Sequence, residues 1–167
     1  DGKKFIFGAP PYVDKFMEYL DKADLDVDLG EEGAVATAGG WKGISDISKD
    51  EFREKMMKNF GIDENHHLDF YGFSESMTPA GNKYDDNDPD EKRVVSQGFV
   101  YTVDEDHLLR TGELKPTEKG EPGLAVFIDP LNRDHPGAIL TDDLLKKTGE
   151  EEYGEDVRIE FVGRSSM

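Results

Sequence analysis

The hydrophobic pattern up to Tyr71 alternates between two periods, and that alternation restricts the fold more than any other feature of the chain. Residues 4–7, Lys-Phe-Ile-Phe, form a short apolar run ended by Gly8 and the Pro10-Pro11 pair, which reads as a strand. Tyr12, Val13, Phe16, Met17 and Leu20 then fall at helical spacing, so a helix is expected over residues 11–23. Residues 34–38 are small and β-compatible, and break at Gly39-Gly40. Ser48 with Glu51 three positions on is a capping-box signal. Phe52, Met56 and Phe60 follow on one face, and Gly61 stops that helix. Residues 67–71 give a third strand, closed by Gly72. Strand, helix, strand, helix, strand predicts an α/β sheet with parallel pairs.

The second half changes character. Residues 81–93 are polar, carry the run Asp85-Asp86-Asn87-Asp88-Pro89-Asp90-Glu91, and read as an exposed loop. Strands are expected over 97–103, 124–128, 138–141 and 157–162, with a turn-rich connection over 112–123. Consecutive strands without helices imply a smaller antiparallel sheet or distorted barrel. The expected fold is therefore α/β, with a βα layer over residues 1–78 and a mainly antiparallel β section over 79–167. No internal repeat is present.

Charge and composition exclude several classes of function. The net charge is −18, from 20 basic and 38 acidic residues, and so acidic a chain repels phosphate backbones, which argues against nucleic acid as a partner. There is no Cys, so disulfides, thiolate metal sites and a Cys nucleophile are excluded, and any thioester needs a thiol from elsewhere. No apolar run approaches the roughly 20 residues that cross a bilayer. No basic-then-apolar leader opens the sequence, and a cytoplasmic location is expected. The chain starts at Asp1-Gly2-Lys3-Lys4 without Met, which suggests a trimmed or excised piece.

Three short motifs carry chemistry. Tyr71-Gly72-Phe73-Ser74-Glu75 follows a strand, where α/β sheets place ligands at carboxyl ends. An aromatic ring can cover a purine, Gly admits close backbone approach, a hydroxyl can meet phosphate and a carboxylate can hold Mg²⁺. Alone, the pentapeptide reads more simply as a strand-to-loop turn. Thr141-Asp142-Asp143-Leu144 could offer carboxylates to ribose hydroxyls, or could equally cap a helix. Gly39-Gly40-Trp41-Lys42-Gly43 could let backbone approach a ligand, or form a tight turn with one exposed Trp. It matches neither the phosphate loop nor the dinucleotide fingerprint.

Other groups are less informative. His66 and His67 are adjacent, while His107 and His135 fall in expected loops, so the four His make a poor metal set. The run from Asp85 to Glu91 lacks the Gly of a calcium loop. No Gly-x-Ser-x-Gly elbow appears.

Taken in order, the motifs resemble those of adenylate-forming enzymes, which carry Tyr-Gly-x-Thr-Glu, then Thr-Gly-Asp, then Gly-Arg at the hinge to a small C-terminal domain. Here they stand as Tyr71-Gly72-Phe73-Ser74-Glu75, Thr141-Asp142-Asp143 and Gly163-Arg164. The chain is most similar to the acyl-protein synthetases (LuxE-like), which activate fatty acids with ATP for the aldehyde supply of bioluminescence. Phe7-Gly8-Ala9-Pro10-Pro11, the Gly39–Gly43 loop, Gly120-Glu121-Pro122-Gly123-Leu124 and the run from Ala138 to Leu144 also match.

The resemblance implies the later part of a large adenylation domain, using ATP and Mg²⁺ on a carboxylic acid, a fatty acid first. It implies an acyl-acceptor protein or thiol and a reductase as partners. Tyr71 would stack on adenine, Gly72 would line the acyl-adenylate pocket, and Ser74 would touch the α-phosphate. Glu75 would hold Mg²⁺, Asp143 would bind ribose, Arg164 would help there, and Gly39 and Gly40 would border the nucleotide and acyl pocket. The family's Ser/Thr/Gly-rich phosphate loop, its Gly-Cys-Ser segment and its small C-terminal domain with a catalytic Lys are absent, so the chain alone is expected to be inactive. The alternatives are an aryl-CoA ligase of the phenylacetate type and a non-catalytic module that keeps the fold.

Overall fold

The computed structural model describes residues 2–41, 47–72, 79–82, 91–94, 98–135, 137–150 and 157–166. They form two compact units, one running through Phe70 and the other taking in the described residues from Tyr71 onward. The fold is α/β, a parallel βαβ start followed by antiparallel strands. No helix among the described residues is long and apolar enough to cross a membrane.

In the first unit β1 (Phe5–Gly8), β2 (Ala34–Ala38) and β3 (His67–Tyr71) pair in parallel, β2 in the middle. Helix α1 (Pro10–Ala23) lies between β1 and β2 in the chain, and α2 (Lys49–Phe60) between β2 and β3. Pro10 and Pro11 open α1, where a missing N–H costs little because that group has no intrahelical partner. At the start of α2, Glu51 N–H donates to Ser48 Oγ at 3.2 Å and Ser48 N–H donates to Glu51 Oε2 at 3.0 Å, the expected capping box. Gly61 ends the helix at φ +65°, a conformation that suits Gly.

Helical periodicity turns the apolar stripes onto one sheet face. Val13, Met17 and Leu20 of α1, Phe52, Met56 and Phe60 of α2, and Val35 of β2 share one buried cluster with Leu29 and Ile62. Phe60 is wholly buried, and truncating such a side chain to Ala costs about 3–5 kcal/mol. The helices are also tied by charge, since Lys55 Nζ donates to the buried Asp14 Oδ1 at 2.5 Å. Trp41 is not the exposed turn residue that one reading of its loop allowed: its ring packs edge-on against Phe52, centroids 4.8 Å apart.

The second unit is an antiparallel sheet. Its strands are β4 (Ala80–Gly81), β5 (Glu91–Val94), β6 (Phe99–Val103), β7 (Pro122–Ile128), β8 (Ala138–Lys147) and β9 (Arg158–Arg164). The pairs run β4 to β5, β5 to β9, β9 to β8, β8 to β7 and β7 to β6. One core cluster holds Val94, Val100, Ala125, Phe127, Leu145, Val157 and Ile159, and a second holds Val103, Leu124 and Val126.

Four sequence expectations change in this unit. Ala80–Gly81 and Glu91–Val94 are strands, where residues 81–93 read as a loop. Alternation explains β5: Lys92 and Val94 turn inward while Glu91 and Arg93 are half-buried. Residues 83–90, the acidic run, lie outside the described residues. His107 sits not in a loop but in α3 (Glu105–Thr111), capped by Asp104, whose Oδ1 accepts from His107 N–H at 2.9 Å. Strand β8 does not end at Thr141 but runs on to Lys147, so Asp142 and Asp143 lie within a strand and cap no helix. Strand β9 likewise takes in Gly163 and Arg164 rather than stopping before them.

Candidate functional site

Two long neighbouring strands and one strand end bring Tyr71, Asp143 and Arg164 together in the second unit. The register of β8 on β9 sets Asp143 directly opposite Arg164. Arg164 Nε donates to Asp143 Oδ1 at 3.0 Å. Tyr71, the last residue of β3, donates its hydroxyl to Asp143 Oδ2 at 2.6 Å. The carboxylate thus takes one charged and one neutral donor, one on each oxygen.

Strand alternation decides which acid is used. Asp143 is buried, at 4 % exposure, while Asp142 points outward. The backbone of Asp142 has another task, its carbonyl accepting from Ser165 N–H at 2.7 Å. Thr141 supports the turn of the strand on the inside. Asp143 N–H donates to Thr141 Oγ1 at 3.3 Å, and that hydroxyl donates to the Ala125 carbonyl of β7 at 3.2 Å. Ser165 is held a second time, by donation to Glu105 at the start of α3.

A buried carboxylate needs paired partners to remain charged. Here one partner, the Arg164 side chain, is 68 % exposed, so the ion pair reaches from the core to solvent. The Tyr71 phenol is pushed far above its ordinary value, first by burial, then by its hydrogen bond to Asp143 and by the negative charge there, with Arg164 opposing. It therefore remains a protonated donor under all ordinary conditions. The Tyr71 ring lies 5.6 Å from Phe161 and 6.2 Å from Phe127, tilted by 32° to each. These two phenylalanines were not legible as site residues, since only strand register puts them beside Tyr71. The one available signal was Phe161 two positions before Gly163 in a strand-like run.

Of the remaining predicted residues, Gly39, Gly40 and Gly72 are described. Ser74 and Glu75 lie outside the described residues. Gly72 makes no steric demand, as an added Cβ would meet Pro79 Cβ at an ordinary 3.9 Å. Gly39 and Gly40 belong to the first unit and follow β2. Gly39 has φ +88°, and among the described residues a Cβ at either position would meet nothing within 4 Å. Among the described residues no group of three or more His, Cys, Asp or Glu could hold a metal ion. The residues present fit the nucleoside part of a nucleotide, offering a buried acceptor, an aromatic ring and a cation. They do not by themselves make a Mg²⁺ site.

Comparison with known proteins places this geometry in context. The sequence matches the family described as acyl-protein synthetase, LuxE, over residues 2–166. No curated protein matches it in sequence. Among solved structures, a long-chain-fatty-acid-CoA ligase (FadD1) from Archaeoglobus fulgidus superposes with a TM-score of 0.64 at 13 % identity, covering 98 % of this chain and 34 % of that one. The anthranilate CoA ligase AuaEII in complex with anthranoyl-AMP gives 0.64 at 16 % identity, over 96 % of this chain and 30 % of that one. ATP-bound MatB from Rhodopseudomonas palustris gives 0.61 at 14 % identity, over 96 % and 31 %. The fold is thus that of adenylate-forming acyl-CoA ligases, and the chain spans about a third of their length.

Proposed function

The chain belongs to the acyl-protein synthetase family, LuxE, and from that premise we propose that Tyr71, Asp143 and Arg164 form the nucleoside-binding part of an ATP-dependent carboxylate-activating site. The reaction is attack of a carboxylate oxygen on the α-phosphorus of ATP, giving acyl-AMP and pyrophosphate. The acyl group then passes to a thiol or hydroxyl of an acceptor protein, which gives up its proton as AMP leaves, and a partner reductase with its own electron donor would consume the acyl group. A fatty acid is the proposed substrate, and the cytoplasm the proposed location.

The observation that carries the reading is the state of Asp143. An ionised carboxylate offers about four acceptor positions. Tyr71 and Arg164 each take one, and the others suit ribose hydroxyl donors. Because both protein donors hold the group in place beforehand, ribose meets an acceptor that needs no reorganisation. The Tyr71 ring, fixed through its hydroxyl, is assigned to adenine, and Arg164 to the ribose. On their motif alone, Ser74 is assigned to the α-phosphate, Gly72 to the acyl-adenylate pocket, and Gly39 and Gly40 to its border. Glu75 is assigned to Mg²⁺ on the same basis, and bound Mg²⁺ would offset charge on the phosphates.

The test is acid-dependent ATP–pyrophosphate exchange by the full-length protein. Asp143→Asn keeps the shape and removes the charge. It should raise KM for ATP about ten- to a hundredfold with a smaller change in kcat, the loss of a hydrogen bond to a charged group from ground and transition states alike. An unchanged KM removes Asp143 from the nucleotide site. Exchange with aryl but not long-chain acids would make the protein an aryl-CoA ligase of the phenylacetate type. No exchange with any acid would make it a non-catalytic module of the same fold.

A further inference from the structure

We infer that Thr37, with His67 and Asp69, is a positioning residue that holds the open Gly39-Gly40 backbone rigid for close approach of the activated acid and its nucleotide. The inference rests on the adenylating reading above and deepens it.

The three side chains form a hydrogen-bonded chain across two parallel strands. Thr37 of β2 stands opposite Asp69 of β3 in register, and its hydroxyl donates to Asp69 Oδ1 at 2.8 Å. The same Oγ1 lies 2.9 Å from His67 Nε2. A hydroxyl has one proton, and Thr37 has given it to Asp69. His67 must therefore be the donor, with its proton on Nε2. Thr37 is 1 % exposed and His67 8 %, so the bond between them is made away from water, where an unmade one is most costly, while the bond to Asp69 is part-buried.

Their place in the fold is what gives them a task. Strand β2 is otherwise built from Ala and Val, which need no polar partner. Thr37 and its register partner Asp69 sit near the carboxyl end of β2, with His67 in register with Val35, and Gly39 follows Thr37 by two residues. On the far side of the glycines Trp41 is anchored independently, edge-on to Phe52 at 4.8 Å and 84°. Phe52 in turn packs edge-on to His67 at 6.0 Å and 80°. Both ends of the Gly39-Gly40 span are thus tied to the same buried group, His67, once through Thr37 and once through Trp41 and Phe52. Among the described residues, a Cβ at either glycine would meet nothing within 4 Å. A two-residue span with free backbone and two fixed ends is suited to meeting a ligand without ordering on contact. Stability alone explains a buried trio, but not why the second anchor returns to His67.

The experiment uses the full-length protein and pyrophosphate exchange with a long-chain acid, well below each variant's melting midpoint. Thr37→Val should lower kcat about ten- to a hundredfold, the scale of a misplaced positioning element, with KM for ATP within about threefold of wild type. Thr37→Ser, which restores the hydroxyl, should return kcat to within about threefold. His67→Leu keeps the bond from Thr37 to Asp69 and can still pack on Phe52, and should lower kcat about tenfold. Wild-type kcat in whichever of Thr37→Val and His67→Leu is folded overturns the inference while leaving the adenylating reading intact. So does a Thr37→Ser variant as slow as Thr37→Val. A wild-type protein that performs no exchange overturns both.

Discussion

Tyr71 combines two functions that a substitution can separate. Its ring belongs to the packing of the second unit, while its hydroxyl satisfies a buried carboxylate. Tyr71→Phe keeps the first and removes the second, and should cost about 1–3 kcal/mol, the value of a hydrogen bond to a charged group. The sign of its pH dependence follows from the raised phenol. Protection of the neutral form contributes fully below the ordinary value of 10.0 and is lost as pH rises beyond it. Urea unfolding at pH 8 should therefore show a larger gap between wild type and Tyr71→Phe than unfolding above pH 10. Equal gaps would mean that the phenol is not buried against Asp143. Gly40 allows a complementary test, because among the described residues a Cβ there meets nothing within 4 Å. Gly40→Ala should leave the melting midpoint within about 1 °C, since surface changes away from special features are close to neutral. It should nevertheless reduce exchange in the full-length protein if ligand passes over this backbone. Sequence order was enough to single out Tyr71, Asp143 and Arg164, because each lies in a motif of fixed composition. It could not show that Asp143 binds both of the others, because that depends on the pairing of β8 with β9 and on where β3 ends.

Elements differ in how much of their structure is local. Helix α2 is written almost entirely in its own residues: a cap, an apolar face and a terminal Gly, all legible in the sequence. Its cap predicts a measurable loss, since Ser48→Ala should destabilise the first unit by about 1 kcal/mol in thermal or denaturant unfolding. Glu51 adds a pH signature. Its carboxyl is held below the ordinary 4.5, first by the Ser48 backbone N–H and then by the Ser48 hydroxyl. A depressed carboxylate stabilises above its unfolded value and loses that contribution as pH falls through the folded one. The destabilisation caused by Glu51→Ala should thus be present at pH 7 and shrink as pH falls below 4.5. A gap that persists at pH 3 would show that the ionised cap is not what the residue supplies. Strands β4 and β5 and helix α3 were not legible, for a common reason. The strands are two and four residues long and α3 seven, too short for a period to emerge. In β5 the charged Glu91, Lys92 and Arg93 mask an alternation that its partners β4 and β9 enforce. Strand β8 was read too short because Thr141, Asp142 and Asp143 look like a strand end and helix cap, yet Asp143 pairs with Arg164 of β9 and the strand runs on to Lys147.

At the scale of the whole molecule, the proposed reading assigns different residues of the two units to the chemistry. Asp143 with its two donors, in the second, is assigned to the nucleoside. The first holds the glycine pair that follows β2. Neither holds a Ser/Thr/Gly-rich phosphate loop in its sequence, and the chain matches only 34 % of the length of a fatty-acid-CoA ligase of the same fold. In phosphoryl and nucleotidyl transfer the protein does little covalent work, and most of the acceleration comes from positioning the phosphates and neutralising their charge. On the proposed reading, a chain that holds the nucleoside without positioning the triphosphate would have affinity without catalysis. The 167 residues alone, purified and supplied with ATP, Mg²⁺ and a long-chain acid, should show no acid-dependent pyrophosphate exchange. The full-length protein should show it under the same conditions. The comparison is informative because the two outcomes separate binding from chemistry. If the isolated chain binds adenosine nucleotides, and Asp143→Asn abolishes that binding, the nucleoside site is complete and the phosphate site lies elsewhere. Exchange by the isolated chain at a rate near that of the full-length protein would instead require these residues to position the triphosphate themselves, and a site limited to the nucleoside would be ruled out.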